Sequence, residues 1–357
     1  MKNLLITCLI LIAATALPGG DAALPGHTAL DDDEELLIFP GYTYRDPTSG
    51  AAMAHFHAWI FEPEEGSVNR KLLLKFLGGR LGGELSEGEK ATLYRRGAHL
   101  LADQEGGERV AVSVGNAHYD LGDTDANGHA VKDVPLPAAP KNGKASWLEV
   151  QSRSKDRLYR GKVLVIPETG ISVVSDIDDT IKISEVLDRR ALLRNTFLLP
   201  FRAVPGMARL YRAWRDRGAV FHYVSAGPWQ LYRPLADFVE SEGFPAGVFH
   251  MKNFGFSRNP AALFDPADEV KIPAITALLE RFPRRRFVLV GDSGERDPEI
   301  YGEIARRFPG RVIAIYIRNA GNEQSGSPRM TAAFRGLSTV RCVLFERPEE
   351  IPGGLPR

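Results

Sequence analysis

Cysteine is scarce: the 357-residue sequence has two, Cys8 and Cys342, and the first falls in a stretch that reads as a removable leader. A single remaining thiol excludes an intramolecular disulfide, so packing must hold the fold even in an oxidising compartment. Net charge is missing too. The 45 Lys and Arg balance 45 Asp and Glu, so no whole-chain field draws the protein to nucleic acid, and attraction to an anionic surface must come from a local patch. Beyond the N-terminus no apolar run approaches the roughly 20 residues that a membrane-spanning helix needs. Internal repeats and long low-complexity tracts are absent. The histidines are scattered without metal-ligand spacing, and His222 and His250, alternating with apolar neighbours, are expected to be packed or hydrogen-bonded in strands. Asp123-Thr124-Asp125-Ala126-Asn127-Gly128 resembles the start of a calcium loop, but lacks the glutamate that would complete an EF-hand, so a β-turn is the better reading.

What is there divides along the chain. Residues 1–23 read as a signal peptide: Lys2, an apolar run from Leu4 to Leu17, then small residues near Ala16 and Ala22. They predict an exported protein, periplasmic or secreted. Residues 24–35, ending in Asp31-Asp32-Asp33-Glu34-Glu35, predict a solvated leader with no structure of its own. Residues 36–166 show short alternating segments such as His55–Phe61, Arg109–Val114 and Val163–Ile166, predicting a smaller β-rich domain, a sandwich being one form, with one helix within 85–101. From 167 to 325 the pattern changes. Apolar strands at Ile171–Ser175, Ala219–Ser225, Val248–Met251, Phe287–Gly291 and Val312–Ile317 alternate with helical patterns around 206–217, 229–242, 268–282 and 297–308. That is the pattern of an α/β parallel sheet covered by helices, whose ligands bind beyond the carboxyl ends of the strands. Residues 326–357 are left as a C-terminal extension.

Three strand ends carry candidate chemistry. The first runs into Asp176-Ile177-Asp178-Asp179-Thr180, placing two carboxylates where one can attack and the other handle a proton. The fourth ends in Gly291-Asp292-Ser293-Gly294-Glu295-Arg296-Asp297, and Asp176 with Asp292 could offer the hard oxygen ligands that Mg²⁺ requires. Between them, Tyr223-Val224-Ser225-Ala226-Gly227 offers a hydroxyl and backbone N–H groups to a phosphate. Lys271, opening the helix before the fourth strand, can balance a phosphate and an aspartate. Taken singly, each has a plainer reading: an acidic loop, a Gly-Asp turn, a helix N-cap, a surface lysine.

Together, and in this order, Asp-x-Asp-x-Thr, Ser, Lys and Gly-Asp-x-x-x-x-Asp resemble the haloacid dehalogenase superfamily. Asp176–Lys182, Tyr223–Trp229 and Gly291–Tyr301 are similar to the catalytic domain of actin-patch-type phosphatidate phosphatases, over roughly 165–325. The resemblance implies strand order 5-4-1-2-3 and phosphatidate as substrate. It implies Asp176 as nucleophile and Asp178 as general acid, then base. Ser225 and Lys271 would hold phosphoryl oxygens, with Thr180, Ala226 and Gly227 in the substrate site. Mg²⁺ would be bound by Asp176, the Asp178 carbonyl and Asp292, with Asp297 steadying it from behind. Gly227 stands where Ser is expected, so one hydroxyl is missing. Trp229 is placed equally well in the pocket or the core, and Trp59 and Trp147 in the core.

Residues 189–202 occupy the position where this superfamily inserts its cap, and are too short for a full one. Arg189, Arg190 and Arg194 beside Phe197, Leu198, Leu199 and Phe201 make the segment a peripheral membrane contact or, equally, a core-facing helix. The competing functions are a lipid phosphate phosphatase, a phosphatase of soluble phosphoesters with the same residues, and a non-catalytic binding protein. The complete acidic set at 176, 178, 292 and 297 argues against the last.

Overall fold

Two sheets share the chain in a computed structural model that describes residues 26–63, 75, 84–136, 143–255, 266–351 and 354–356. The predicted signal peptide lies outside these residues. The first sheet comprises β1 (Glu35–Ile38), β2 (Gly41–Arg45), β3 (Ala52–Glu62), β4 (Asp103–Gln104), β5 (Arg109–Val114), β6 (Ala117–Asp123), β7 (His129–Pro135), β8 (Ser146–Ser154) and β9 (Arg157–Val165), with α1 (Glu87–Gly97) between β3 and β4. It is one continuous, mostly antiparallel sheet in the order β1-β3-β2-β9-β8-β5-β6, with β4 and β7 also pairing with the long β3. Period-two alternation explains β3. Ala54, Phe56, Ala58 and Ile60 face the core of this sheet, whereas Trp59 and Phe61 face the opposite way into a cluster shared with the second sheet.

The expectation of an unstructured leader at 24–35 does not hold for its described part. Thr28, Leu30 and Glu34 are buried, and the Thr28 hydroxyl bonds to the Ala111 carbonyl and the Ser152 hydroxyl. Leu30 supplies the apolar contact that the acidic composition concealed. The calcium-like segment is a turn: the Asp125 carboxylate accepts the N–H groups of Asn127 and His129, and Gly128 takes the positive φ that ends it.

The second sheet is parallel: β10 (Gly170–Ser175), β11 (Val220–Pro228), β12 (Val248–Lys252), β13 (Arg285–Asp292), β14 (Val312–Arg318) and β15 (Arg341–Phe345). Its order, β12-β11-β10-β13-β14-β15, read backwards from β14, is the 5-4-1-2-3 order that the resemblance implies, extended by a sixth strand. That strand falls in the residues set aside as a C-terminal extension; Arg341–Phe345 is short and only half-buried, which hid its pattern. Helices α2 (Arg189–Phe197), α3 (Met207–Arg215), α4 (Tyr232–Ser241), α5 (Asp268–Arg281), α6 (Asp297–Arg307) and α7 (Pro328–Ala333) accompany the sheet, with 3₁₀ turns at Trp229–Leu231 and Pro348–Glu350. Central strands are buried on both faces, as the Val/Leu/Ile runs of β10 and β13 require. No described helix is long and apolar enough to cross a membrane.

Candidate active site

Because β10 lies between β11 and β13, the loops after these three strands meet at one edge of the sheet, where the strand order reverses. Ser175 is in register with Tyr223 on one side and Val290 on the other, and the Asp176 N–H continues the ladder to the Val290 carbonyl at 2.8 Å. Asp176, Ser225 and Asp292 are thereby brought together. An open cleft of about 340 Å³ lies over Asp176 and Ser225, with Asp178, Ala226, Gly227 and Glu295 also at its floor. Its walls are mainly apolar: Leu192, Leu193 and Phe197 of α2, joined by Arg189 and Thr196 of the same helix, and Pro228 and Leu231 after the Ser225 segment.

Asp176 is fully buried. One carboxylate oxygen accepts the Thr180 hydroxyl at 3.0 Å and the other meets the Lys271 ammonium at 2.8 Å. Burial pushes its carboxyl well above the usual range; Lys271 opposes this, and Asp297, Asp292 and Glu295 add to it. Lys271, at the start of α5, also contacts Asp297 at 2.5 Å and Glu295 at 3.2 Å. Burial alone would lower its ammonium, but Asp176, Asp297 and Glu295 together hold it well above its ordinary value. The sequence reading put Lys271 on the phosphoryl oxygens. In the structure its ammonium is held among the carboxylates of Asp176, Asp297 and Glu295, two of which line the cleft floor.

Asp178 has a different environment. Its carboxylate meets the buried Lys182 ammonium at 2.6 Å and accepts the Ser184 hydroxyl at 2.5 Å. Burial works against ionisation there, yet Lys182 and Ser184 together hold the carboxyl below its ordinary value. The backbone makes this possible: Asp179 adopts a positive φ, which Asp tolerates, and its carboxylate ties down the N–H groups of Ser184 and Val186. The chain therefore doubles back and delivers Lys182 and Ser184 to Asp178. No role was read from the sequence for either, nor for Glu295. The only signal for Lys182 was its spacing from Asp178, and that acquires meaning only with the turn at Asp179.

On β13, the Asp292 Oδ1 accepts the N–H groups of Gly294 (2.6 Å) and Glu295 (3.1 Å), while Oδ2 is buried without a hydrogen-bond partner. Burial and then Asp297 push this carboxyl well up. Asp297 accepts the Asp292 N–H with one oxygen and Lys271 with the other. Gly291 is required for this approach, since a Cβ there would stand 2.2 Å from the Asp297 carboxylate. Carboxylate oxygens of Asp176, Asp292 and Asp297 all lie within 4.8 Å of one another. An unpaired buried oxygen beside two further carboxylates is a donor set that fits a hard divalent cation.

Ser225 does not cap a helix; its Oγ accepts the Gly227 N–H at 3.0 Å within the irregular end of β11, where the register shifts between Val224 and Pro228, leaving the hydroxyl proton for another acceptor. A Cβ at Gly227 would stand 3.2 Å from that Oγ, so a serine there would fit only with a small shift. Trp229 is core rather than pocket, its ring tilted against Phe39 and edge-on to His57 of the first sheet. Trp59 is buried and Trp147 half-buried. His222 and His250 share a hydrogen bond of 3.2 Å between strands, as expected.

The 189–202 segment departs from the lipid-inserting expectation. Phe197 and Leu198 are buried, Leu199 and Phe201 are half-buried against the same cluster, and Arg194 pairs with Glu89 of α1. The helical period turns these apolar side chains inward. Between Val186 and Arg189, which line the cleft, Leu187 remains 65% exposed, and Arg189 and the neighbouring Arg190 are exposed as well.

Comparison with known proteins converges on this sheet. Residues 171–319 match the family model described as phosphatidate phosphatase APP1, catalytic domain. An uncharacterized protein of Schizosaccharomyces pombe is 32% identical over 214 residues, 57% of this chain and 35% of its own length. The phosphatidate phosphatase APP1 of Saccharomyces cerevisiae is 37% identical over 163 residues, 44% of this chain and 27% of its own. The chain thus spans about a third or less of these relatives. A sialyltransferase structure from Photobacterium damsela aligns at TM-score 0.22 and 9% identity over 59% of this chain and 37% of its own, which bears no weight. The family match contains Asp176, Asp178, Ser225, Lys271, Asp292 and Asp297, and with the yeast likeness it supports a phosphatase enzyme.

Proposed function

We propose that the chain is an exported, Mg²⁺-dependent phosphatase of haloacid dehalogenase type that hydrolyses a lipid phosphate, phosphatidate, to diacylglycerol and phosphate. The observation that carries the lipid reading is the cleft itself: a carboxylate floor lies directly under walls of Leu192, Leu193, Phe197, Pro228 and Leu231. A sugar phosphate has no use for such walls, whereas acyl chains bury apolar area against them. The yeast relative named as a phosphatidate phosphatase supports the same substrate.

In this mechanism an Asp176 oxygen attacks phosphorus, the ester P–O bond breaks, and the departing alkoxide takes a proton from Asp178. The resulting aspartyl-phosphate is attacked by water, whose proton passes to Asp178 while phosphate leaves. Thr180 and Lys271 fix the attacking carboxylate, and Ser225 donates its hydroxyl proton to a phosphoryl oxygen. The hold of Lys182 and Ser184 keeps Asp178 ionised for the water step. For the first step it must carry a proton, and an arriving phosphate dianion pushes it that way. Mg²⁺, held by Asp176, the Asp178 carbonyl and Asp292 with Asp297 behind, would supply the charge that neutralises the phosphoryl group. Leu187, Arg189 and Arg190 at the rim would meet an anionic bilayer transiently. Phosphate release from phosphatidate, lysophosphatidate, glycerol 3-phosphate and a phosphopeptide tests the reading; a preference for either of the last two would overturn the lipid assignment.

A further inference from the structure

The β-rich region reaches both walls of the cleft. On one side, Trp229, just beyond the Ser225 loop, is buried with its ring centroid 4.4 Å from Phe39 and 4.5 Å from His57 of the first sheet. On the other, α1 packs along α2. Arg96, in the last turn of α1 and only 8% exposed, donates from its guanidinium to the carbonyls of Thr196 (2.8 Å) and Leu199 (2.7 Å). Its guanidinium carbon also lies 3.8 Å from the centroid of the Phe201 ring. The final carbonyls of a helix have no intrahelical partners, and a cation among them meets the negative end of the helix dipole. Glu89, on the same face of α1, pairs with Arg194 of α2. The end of α2 fixed in this way carries Thr196 and Phe197, which line the cleft, with Leu192 and Leu193 in the turn before.

We infer that Arg96 is a positioning residue for substrate selection: by fixing the C-terminal end of α2 it sets the apolar wall that receives the non-phosphate part of the substrate. The inference rests on the lipid reading above and gives the β-rich region a part in it. Phe201 also faces the Lys182 ammonium at 5.0 Å, and Asn195 of α2 donates to the Ser184 carbonyl at 3.1 Å; because Lys182 keeps its own bonds to Asp178 and Ser184, loss of Arg96 should fall first on the wall and less on phosphoryl transfer.

Dioctanoyl phosphatidate and glycerol 3-phosphate share the reacting ester and differ in their acyl chains, so kinetics of the full chain on this pair form the test. Arg96→Ala should raise KM for dioctanoyl phosphatidate on the order of tenfold, as expected for losing charge-assisted hydrogen bonds, and leave kcat/KM for glycerol 3-phosphate within about twofold. Arg96→Lys, which keeps the charge and can reach one carbonyl, should fall between wild type and Arg96→Ala, and decides the matter alone if the alanine variant does not fold. Equal losses on both substrates that track a lower melting temperature would show that Arg96 only supports the fold. Unchanged kinetics on both would show that the wall does not depend on it, and either result overturns the inference. Wild-type preference for glycerol 3-phosphate would sink the lipid reading separately, and the change in the ratio of the two kcat/KM values on substitution still decides the role of Arg96.

Discussion

Replacing Lys271 by Met tests the electrostatics of the site. Methionine keeps the length of the side chain but leaves Asp176, Asp297 and Glu295 without the ammonium that contacts all three. Lys271 and Asp297 are fully buried and Asp176 nearly so, so solvent screens little of the loss beyond the share of the partly exposed Glu295. Removing one partner of such a buried pair costs about 3–5 kcal/mol. The carboxylates can relieve the repulsion by taking up protons, and Asp176 is already pushed in that direction by burial. A carboxyl whose folded-state pKa is raised destabilises the fold as pH increases, so the penalty should be near 3 kcal/mol at about pH 7.5 and clearly smaller at about pH 5. Guanidinium denaturation followed by circular dichroism in excess chelator measures it. Saturating Mg²⁺ should restore part of the loss, about 2.7 kcal/mol at 100 times Kd. An unchanged midpoint in chelator, or an equal loss at both pH values, would refute the electrostatic reasoning and leave only packing.

Asp292→Asn should raise the melting temperature of metal-free protein, because burial already disfavours the charged form and Asn can still accept the Gly294 and Glu295 N–H groups; it should also erase any stabilisation by Mg²⁺, and retention of that stabilisation would exclude Asp292 from the metal site. Burial pushes His129 down to about 4 and His222 to about 3, so both stay neutral in the fold. Stability should therefore be full above an unfolded pKa of about 6.5 and fall as pH drops towards 4, by at most about 1.4 kcal/mol per pH unit for each such group. Melting curves should shift accordingly, with a shallower slope in His222→Phe; an equal slope would mean that His222 titrates elsewhere. Leu187→Ser with Arg190→Gln should weaken binding to phosphatidate vesicles, more so at low salt, while hydrolysis of dioctanoyl phosphatidate below its micelle concentration stays within about twofold; equal losses on both would point to the pocket instead of the rim.

The parallel sheet was legible because β10, β11, β13 and β14 are short, largely apolar runs, rich in Val, Ile, Leu and aromatics, with Ser, Gly or Asp at or near the ends of the first three. The floor of the site was legible for the same reason: strand ends fix Asp176, Ser225 and Asp292. What stayed hidden depends on tertiary geometry. Lys182 and Ser184 reach Asp178 only because Asp179 turns left-handed. Lys271 looks like a surface residue until three carboxylates enclose it. Phe197 and Leu198 read equally well as membrane-facing or core-facing, since composition does not say which face of α2 is covered. Arg96 gave no signal at all, because its partners are backbone carbonyls far along the chain.

The account turns on Asp176 as a nucleophile towards a lipid phosphate. The most direct measurement is acid-quenched protein after brief exposure to phosphatidate carrying ³²P, in Mg²⁺, for wild type and Asp176→Asn. The account predicts base-labile label on wild-type protein, with release of diacylglycerol and phosphate, and neither label nor turnover in Asp176→Asn. Substantial phosphate release by Asp176→Asn would contradict it.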